Sequence, residues 1–248
     1  MKDQAGKERL SKTDGLGRLT DVWEVTASDS ATESIPAFPN HPEAAFGYRT
    51  RYAYDVLDDL TDVKQQVGLN GTLQTRTFGY DGLKRLISAN NPESGPVSYG
   101  YDQNSNLSTK LDARGITTTY NYDALNRVIS RTYTNDPQNT PPVSYKYDAQ
   151  QLSPGAPGPT TFDRGFSTGR LVAVTYGGTS AGNYTGYDPL GRANVSFQQT
   201  DSQNYRFLYG YNLGSEMLTE VYPSGRVITI AYEGSFAVIG EQVATTQF

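Results

Sequence analysis

The chain of 248 residues contains no cysteine and a single histidine, His41. The absence of cysteine excludes disulfide bonds, thiolate nucleophiles and cysteine-based zinc sites, so the stability of the fold has to come from packing. A Ser-His-Asp system would have to use His41, which lies in a proline-rich loop, residues 36–42, that offers no matching nucleophile motif. The sequence therefore predicts no catalytic triad.

The chain also lacks an excess of basic residues and a long apolar run. A net charge of −5 and a pI of about 5.0 disfavour binding to nucleic acid, because phosphate contacts need clustered lysines and arginines. No apolar run approaches the roughly 20 residues of a membrane span, and the polar residues 1–4 do not begin a signal peptide. We therefore expect no nucleic acid and no membrane span, with any export signal outside this chain.

The distinctive feature of the chain is a repeated dipeptide, Tyr-Asp. It occurs at Tyr54-Asp55, Tyr80-Asp81, Tyr101-Asp102, Tyr122-Asp123, Tyr147-Asp148 and Tyr187-Asp188. Tyr80, Tyr101 and Tyr122 are separated by 21 residues each time. A fixed period in this range indicates a repeat architecture in which no single unit buries its own apolar face. Function therefore has to be inferred from the array and not from any one residue.

One copy, residues 112–133, indicates what the repeated unit builds. It contains two stretches of β-forming residues between two turn signals, which predicts a hairpin. At the hairpin tip Asp123 can accept hydrogen bonds from backbone N–H groups two or three residues later, and Asn126 tolerates a left-handed backbone. Gly17 and Gly191 stand in the place of Asn126, where a positive φ is expected. The pattern predicts an all-β fold, an antiparallel β-hairpin repeat array.

These motifs resemble the YD repeats of the RHS family, which also occur in RHS-type polymorphic toxin shells, in insecticidal toxin complex shell proteins and in teneurins. The shared pattern is Tyr-Asp, two residues, Gly-Arg-Leu, a strand and a second glycine turn, and it extends from about residue 3 to residue 232. The resemblance implies an array that curves into part of a hollow β-shell. Residues 1–248 would then form a single continuous YD-repeat array, with loop insertions near 27–46 and 135–163, and be a fragment of a larger shell.

Three copies depart from the pattern, and their turns are expected to be looser. They have Thr13 in place of the tyrosine, Asp58-Asp59 in place of Gly-Arg, and Tyr211-Asn212 in place of Tyr-Asp. A longer departure separates Tyr147-Asp148 from residues 168–171 by a Pro/Gly-rich insert, residues 152–163. We interpret the two flanking pieces as the halves of one motif with an enlarged loop.

The 19 tyrosines allow two interpretations. Many of them form Tyr-x-Tyr pairs, at Tyr52/Tyr54, Tyr99/Tyr101, Tyr120/Tyr122, Tyr145/Tyr147 and Tyr209/Tyr211. In the structural interpretation each pair stacks on residues of neighbouring strands, where aromatic cross-strand contacts contribute roughly 0.2–1 kcal/mol each. In the alternative, exposed tyrosine faces are platforms for sugar rings. The structural interpretation is favoured because interior aromatic residues that keep a hydroxyl suit a thin, partly wet wall.

The repeated aspartates are expected to cap turns and not to act in acid-base chemistry or to bind calcium. Each lies at the same corner of a turn, whereas a catalytic pair needs two carboxylates at one point in different environments. The best calcium candidate is the local cluster Asp55, Asp58, Asp59 and Asp62. Because this cluster lacks the D-x-D-x-D-G spacing of a dedicated loop, a solvated acidic turn is the favoured interpretation.

Asp188-Pro189-Leu190-Gly191 resembles, superficially, the Asp-Pro-x-Gly-Leu signature at which some RHS shells cleave themselves. Arg192 replaces the final leucine and the repeats continue beyond it, so we interpret this segment as an ordinary hairpin tip and expect neither a cleavage site nor a cargo domain in the chain. No catalytic, cofactor-binding or metal-binding residue is assigned, and no cofactor is expected.

The sequence thus predicts a non-enzymatic structural segment of an RHS/YD-repeat shell that encapsulates or presents another polypeptide, a toxin or a cell-surface protein. The alternative is a glycan- or protein-binding cell-surface module that uses tyrosine platforms. The expected partners are flanking repeats or a C-terminal cargo domain, with glycans in the alternative case, and self-association through open edge strands. The expected location is secreted or at the bacterial cell surface.

Overall fold

The computed structural model describes residues 9–26, 33–34, 46–67, 72–148, 164–176, 181–232 and 238–245. These residues form nineteen β-strands and no helix. The described part of the chain accordingly contains no helix long and apolar enough to cross a membrane. Neighbouring strands pair in antiparallel fashion. The prediction of an all-β antiparallel hairpin array is confirmed.

The chain divides into two compact units, and the first is Met1–Thr117. Its strands are β1 (Arg9–Thr13), β2 (Leu19–Thr26), β3 (Glu33–Ser34), β4 (Phe46–Tyr54), β5 (Leu60–Val67), β6 (Thr72–Tyr80), β7 (Leu86–Asn91), β8 (Gly95–Tyr101) and β9 (Leu107–Leu111). β1 pairs with β2, β2 with β4, and β4 to β9 pair each with the next. The short β3 pairs with β4, so the span 27–46 contributes a strand to the ladder.

The second unit is Thr118–Phe248. The remaining strands are β10 (Thr117–Tyr122), β11 (Val128–Thr134), β12 (Val143–Tyr147), β13 (Leu171–Tyr176), β14 (Gly182–Tyr187), β15 (Ala193–Thr200), β16 (Gln203–Tyr211), β17 (Met217–Val221), β18 (Arg226–Tyr232) and β19 (Val238–Thr245). β11 to β19 pair each with the next. β12 lies inside the span 135–163 that the sequence assigned to an insertion, so the ladder passes through it.

The strand register shifts where a strand ends in a tyrosine, which in most cases is the tyrosine of a Tyr-Asp dipeptide. In the β4–β5 ladder Ala53 pairs with Asp62, whereas Tyr54 pairs with Leu60. The same shift occurs at Tyr80, Tyr101, Tyr147, Tyr187, Tyr211 and Tyr232. Each shift is a β-bulge, which bends the strand and increases its local twist. The bulges recur at the same place in the repeat, immediately before the hairpin tip.

Few side chains are fully buried in either unit. In the first unit Trp23 is 1% exposed and lies beneath the guanidinium of Arg49, which also binds the carboxylate of Asp21. In the second unit Tyr184 and Val172 are 0% and 1% exposed, and burial raises the pKa of Tyr184 to about 12. Most strand side chains are only half-buried. Contacts along the ladder and between turns therefore carry much of the stabilisation.

Candidate functional site

The turns that follow the Tyr-Asp strands, here called YD turns, share one backbone geometry. We number their five residues from 1 to 5, so that Asp188 is position 1 and Arg192 is position 5. The N–H of Asp188 donates to the carbonyl of Arg192 at 2.9 Å, and the N–H of Gly191 donates to the carbonyl of Asp188 at 2.8 Å. The same two bonds occur in the turns that begin at Asp14, Asp55, Asp81, Asp102, Asp123 and Asn212. Gly191 has a φ of 77°, which is the arrangement of a hairpin loop closed by a G1 bulge.

The carboxylate at position 1 caps the turn from inside. In the turn at Asp188, Oδ1 accepts the N–H groups of Leu190 and Arg192, each at 2.9 Å. The capped groups are therefore two and four residues later, and not two or three as the sequence suggested. The reason is that the intervening N–H, that of Gly191, is already bonded to the backbone carbonyl of Asp188.

The three divergent copies, expected to have looser turns, keep the turn geometry, although the bond from the position 4 N–H to the position 1 carbonyl lengthens to 3.3 Å at Asp55 and 3.2 Å at Asn212, from 2.8 Å at Asp188. In the turn at Asp55, Oδ1 accepts the N–H groups of Leu57 and Asp59 at 2.8 and 2.9 Å, and Asp58 adopts a φ of 69°. In the turn at Asn212 the side-chain oxygen accepts the N–H of position 5 at 3.0 Å. The geometry persists because an aspartate or asparagine oxygen is sufficient for the cap and because aspartate tolerates the left-handed region.

An arginine at position 5 links its own turn to the next one. Arg192 Nε donates to Asp188 Oδ2 at 2.6 Å, while Nη1 donates to the carbonyl of Asn212 in the following turn, also at 2.6 Å. Its guanidinium lies over the ring of Tyr211, 4.7 Å from the centroid, in cation–π geometry. The same placement is found for Arg18 over Tyr54, Arg85 over Tyr101, Arg127 over Tyr147 and Arg170 over Tyr187, at 5.2, 4.7, 4.4 and 5.6 Å.

The tyrosine of each cation–π contact in turn donates a hydrogen bond back to the hairpin from which the arginine comes. Tyr211 Oη donates at 2.9 Å to the carbonyl of Ala193, the residue that follows the arginine on its ring. The equivalent bonds join Tyr54 to Leu19, Tyr101 to Leu86, Tyr187 to Leu171 and Tyr232 to Met217, at 3.0, 2.8, 2.7 and 3.0 Å. Burial raises the pKa of Tyr187 and of Tyr211, so both remain protonated donors. We call one arginine, the tyrosine under it and these bonds a clasp.

The clasps change the expected role of the tyrosines. The sequence predicted stacking between aromatic residues on neighbouring strands, and such a contact is present between Phe207 and Tyr222, whose centroids are 5.7 Å apart. For the tyrosines of the Tyr-Asp dipeptides, however, the contact that recurs is with a guanidinium. Sequence analysis missed it, although the arginine that regularly follows the Tyr-Asp turn was the available signal.

The split motif is closed in space. The N–H of Asp148 donates to the carbonyl of Arg170 at 2.9 Å, as position 1 does to position 5 in an unbroken turn. Asp148 Oδ1 accepts the N–H of Gly169, and Asp148 Oδ2 accepts Arg127 Nη2 from the preceding turn at 3.0 Å. The two pieces are therefore the halves of one turn with an enlarged loop, as the sequence indicated.

The electrostatics of the turns oppose a catalytic role. Burial by itself raises the pKa of Asp188, but the Arg192 guanidinium and the two capped N–H groups hold that pKa below its usual value. The side chain of Arg18 lowers the pKa of Asp14, and the backbone N–H of Arg127 lowers the pKa of Asp123. An acid-base pair needs two carboxyl groups with separated pKa values, whereas these all shift in one direction. They are ionised caps.

Two segments have the Gly-x-Ser-x-Gly spacing of a nucleophile elbow, residues 165–169 and 178–182, and the sequence analysis did not recognise them. Ser167, in the first, is 2% exposed. Both segments lead into strands, β13 and β14, whereas an elbow leads into a helix. Ser180, in the second, and His41 both lie outside the described residues. The spacing alone therefore gives no nucleophile.

The acidic cluster near Asp55 does not converge on a common point. Asp55 caps its turn, Asp58 Oδ1 accepts Arg18 Nη1 at 2.7 Å, and Asp62 lies 3.7 Å from Lys64 Nζ. Within the described residues, no group of three or more His, Cys, Asp or Glu side chains has the geometry to hold a metal ion. A depression of about 260 Å³ on the first unit is lined in part by Asp21, whose carboxylate is bound by a guanidinium. Asp62 also lines this depression and lies beside Lys64, so each of the two carboxylates that line it has a cationic neighbour.

Comparison with known proteins agrees with this arrangement. The family model described as Teneurin YD-shell matches residues 46–248. No curated protein matches the sequence. Two similar solved structures are TcdB2-TccC3 without its hypervariable C-terminal region (12% identity, TM-score 0.68) and the Tc holotoxin pore of Photorhabdus luminescens (11% identity, TM-score 0.69). Each alignment covers 97% of this chain and 12% of the other chain. This chain thus spans about an eighth of those proteins, and the likeness concerns the fold.

Proposed function

Since this chain belongs to the Teneurin YD-shell family, we propose that it is a non-enzymatic wall segment of a β-shell that encloses or presents another polypeptide. The observation that supports the proposal best is the use of the repeated polar side chains. In the turn at Asp188 the aspartate, the arginine and the tyrosine of the clasp all bond to groups of the array itself. Because these side chains bond to neighbouring hairpins, they hold the hairpins together, as the wall of a shell requires.

The proposal extends to the surroundings of the chain. The two similar solved proteins are longer than this chain: one is TcdB2-TccC3, solved without its hypervariable C-terminal region, and the other belongs to a Tc holotoxin pore. By analogy, we propose that flanking repeats complete the hollow shell, that a C-terminal domain is its cargo, and that the whole is secreted or displayed on a bacterial surface. Finding the protein in a washed cytosolic fraction, with none in the medium or on the cell surface, would overturn this location.

Tyrosine platforms for glycans are the alternative function, but the clasps leave little room for them. The rings of Tyr54, Tyr101, Tyr147, Tyr187 and Tyr211 each have a guanidinium over one face. Tyr205, at 45% exposure, is a more accessible candidate. Saturable glycan binding that is lost in Tyr205→Ala without a change in melting temperature would favour the alternative.

Protease protection tests enclosure directly. In the longer protein that we propose contains this array, the enclosed polypeptide should survive a protease concentration that digests the same polypeptide when it is separate. The double variant Arg127→Gln, Arg192→Gln removes two clasps and should open the wall. We expect cargo digestion to become faster by about ten-fold or more, since local opening exposes otherwise protected chain.

Arg114→Gln provides the matched control. Arg114 binds Asp112 of its own turn, its side chain is 73% exposed, and it bonds to no other turn in the part of the chain that the structure describes. It should therefore leave protection unchanged. Equal digestion of cargo in the unmodified protein and of free cargo would overturn enclosure, as would a loss of protection in Arg114→Gln as large as in the double variant.

A further inference from the structure

Two of the YD turns contain an Asp-Gly bond at positions 1 and 2, namely Asp14-Gly15 and Asp81-Gly82. Asp-Gly is the aspartyl sequence most prone to spontaneous isomerisation, because glycine has no side chain to obstruct attack of its nitrogen on the aspartyl group. The other described turns that begin with aspartate have a larger residue at position 2, and these residues are Val56, Gln103, Ala124 and Pro189. The two Asp-Gly bonds are therefore the positions in these turns where isomerisation is most favoured.

The reaction is an intramolecular condensation followed by hydrolysis. The backbone nitrogen of Gly82 bonds to Cγ of Asp81, the bond between Cγ and a carboxyl oxygen breaks, and that oxygen leaves as water with the former amide proton. Water then adds to a carbonyl of the succinimide ring, and opening at the main-chain carbonyl gives isoaspartate, in which the chain runs through Cβ and Cγ. No other reactant is needed, but Cγ has to turn toward the nitrogen, and the protonated carboxyl group closes the ring more readily than the carboxylate.

The cap of the turn at Asp81 opposes both requirements. Asp81 Oδ1 accepts the N–H groups of Leu83 and Arg85 at 2.9 and 3.0 Å, and Oδ2 accepts Arg85 Nε at 2.7 Å. These bonds break when the side chain rotates toward the Gly82 nitrogen. The backbone N–H of Arg85, together with its guanidinium, also holds the pKa of Asp81 below its usual value. Asp14 makes the three equivalent bonds, at 2.9, 3.0 and 2.7 Å.

The surroundings of the two glycines give no steric protection. Gly15 and Gly82 are exposed, and a Cβ added to either would meet no heavy atom within 4 Å among the described residues. Neither glycine has a positive φ, and the turn at Asp123 has Ala124 in the same position. The turn therefore accepts alanine at position 2, and the cap is what holds the aspartyl group away from the glycine nitrogen.

Isomerisation removes the groups that form the turn. The N–H of Lys84 donates to the main-chain carbonyl of Asp81 at 2.9 Å, and in isoaspartate that carbonyl carbon belongs to a free carboxylate. The capping carboxylate in turn becomes a peptide carbonyl. We propose that Asp14 and Asp81 are isoaspartate-forming sites that the arginine at position 5 keeps unreacted, so that loss of the arginine contact is followed by covalent loss of the turn.

Peptide mapping after prolonged incubation near neutral pH tests the proposal, with electron-transfer fragmentation to distinguish isoaspartate from aspartate. The variant Arg85→Gln keeps the backbone N–H of position 5 and removes the guanidinium from Asp81. In this variant isoaspartate should accumulate at Asp81 about ten-fold faster than in the unmodified chain, because a charge-assisted hydrogen bond no longer holds the carboxylate. Equal accumulation in the two proteins would overturn the proposal.

Two control variants separate the chemistry from the loss of a clasp. Arg127→Gln removes the equivalent bond, 2.7 Å long, from Asp123, but the next residue is Ala124, so isoaspartate should not accumulate there. The double variant Gly82→Ala, Arg85→Gln lacks the same guanidinium as Arg85→Gln and should form no more isoaspartate than the unmodified chain. Formation in either control at the rate of Arg85→Gln contradicts the proposal. A comparison that needs no variant is the unmodified chain folded and in denaturant: the folded chain should react more slowly, and equal rates would mean that the cap gives no protection.

Discussion

The turns at Asp188 and Asp55 have the same backbone and opposite chemistry at position 5. In the first, Arg192 neutralises Asp188 and reaches forward to the next turn. In the second, position 5 is Asp59, whose N–H is capped by Asp55 but whose Oδ2 is buried with no hydrogen-bond partner among the described residues. The comparison separates two roles: position 1 and the backbone form the turn, and position 5 connects turns.

The turn at Asp55 receives its connections from both sides. Arg18 of the preceding turn donates to the side chain of Asp58, and Lys84 of the following turn lies 3.9 Å from Asp59 Oδ1. A turn that lacks an arginine at position 5 is therefore still connected to the adjacent turns, because their arginine and lysine side chains contact its carboxylates. In isolation, an acidic pair at positions 1 and 5 would be unfavourable, because like charges at short distance repel.

Acidification should lower the stability more than any single substitution, because it protonates all the arginine-paired aspartate caps at once. The pKa values of Asp14, Asp81, Asp123 and Asp188 lie below the usual 3.8 in the folded state. The folded state thus binds fewer protons than the unfolded state near that pH. The stability from the caps is present above it and is lost as pH falls through the lowered values. We expect the melting temperature to fall by about 10 °C between about pH 6 and about pH 3.

Thermal melting followed by circular dichroism at constant ionic strength measures this fall. The variant Asp188→Asn removes one of the titrating caps, so its melting temperature should depend less on pH over the same range. An unmodified chain whose melting temperature is level down to about pH 3 would contradict the role of ionised caps.

Loss of a single cap should be the next largest effect. Asp188→Ala leaves the N–H groups of Leu190 and Arg192 without their acceptor and leaves the guanidinium without its carboxylate. We expect a decrease of about 4–8 °C in melting temperature, by analogy with lost N-caps and charged hydrogen bonds. Asp188→Asn keeps an oxygen for the cap, as Asn212 does, and should cost about half as much. If Asp188→Ala and Asp188→Asn have the same melting temperature, the hydrogen bonds of the cap contribute no stability beyond that of the ion pair with Arg192.

The sequence could predict the turns because they are local. The Tyr-Asp period, the left-handed residue at Asn126 and the capping role of Asp123 depend on residues close in the chain, and each was recognisable. The clasps were harder, because Arg192 and Tyr211 are brought together by the register of two hairpins and a bulge that no single copy encodes. Looser turns were predicted because the tyrosine, position 1 and positions 4 and 5 were each taken as a requirement for the turn, whereas a side-chain oxygen at position 1 is sufficient to cap it.

Replacing the acidic residue at position 5 of the turn at Asp55 should have a smaller effect on the melting temperature, in the opposite direction. The turn at Asp102 has Asn106 at position 5, and its Nδ2 donates to Asp102 Oδ2 at 2.9 Å. Asp59→Asn gives the turn at Asp55 the same pair of side chains and removes the carboxylate oxygen that has no partner there.

We therefore expect Asp59→Asn to raise the melting temperature by about 2–3 °C, whereas Asp188→Asn lowers it. Asp62→Asn, in β5 on the same hairpin, is the matched control for a general reduction in negative charge, and it should change the melting temperature by less than Asp59→Asn does. If Asp59→Asn is destabilising, then Lys84 contributes more to this turn as a partner of Asp59 than the unpaired oxygen costs, and position 5 would be a connecting position even when it is acidic.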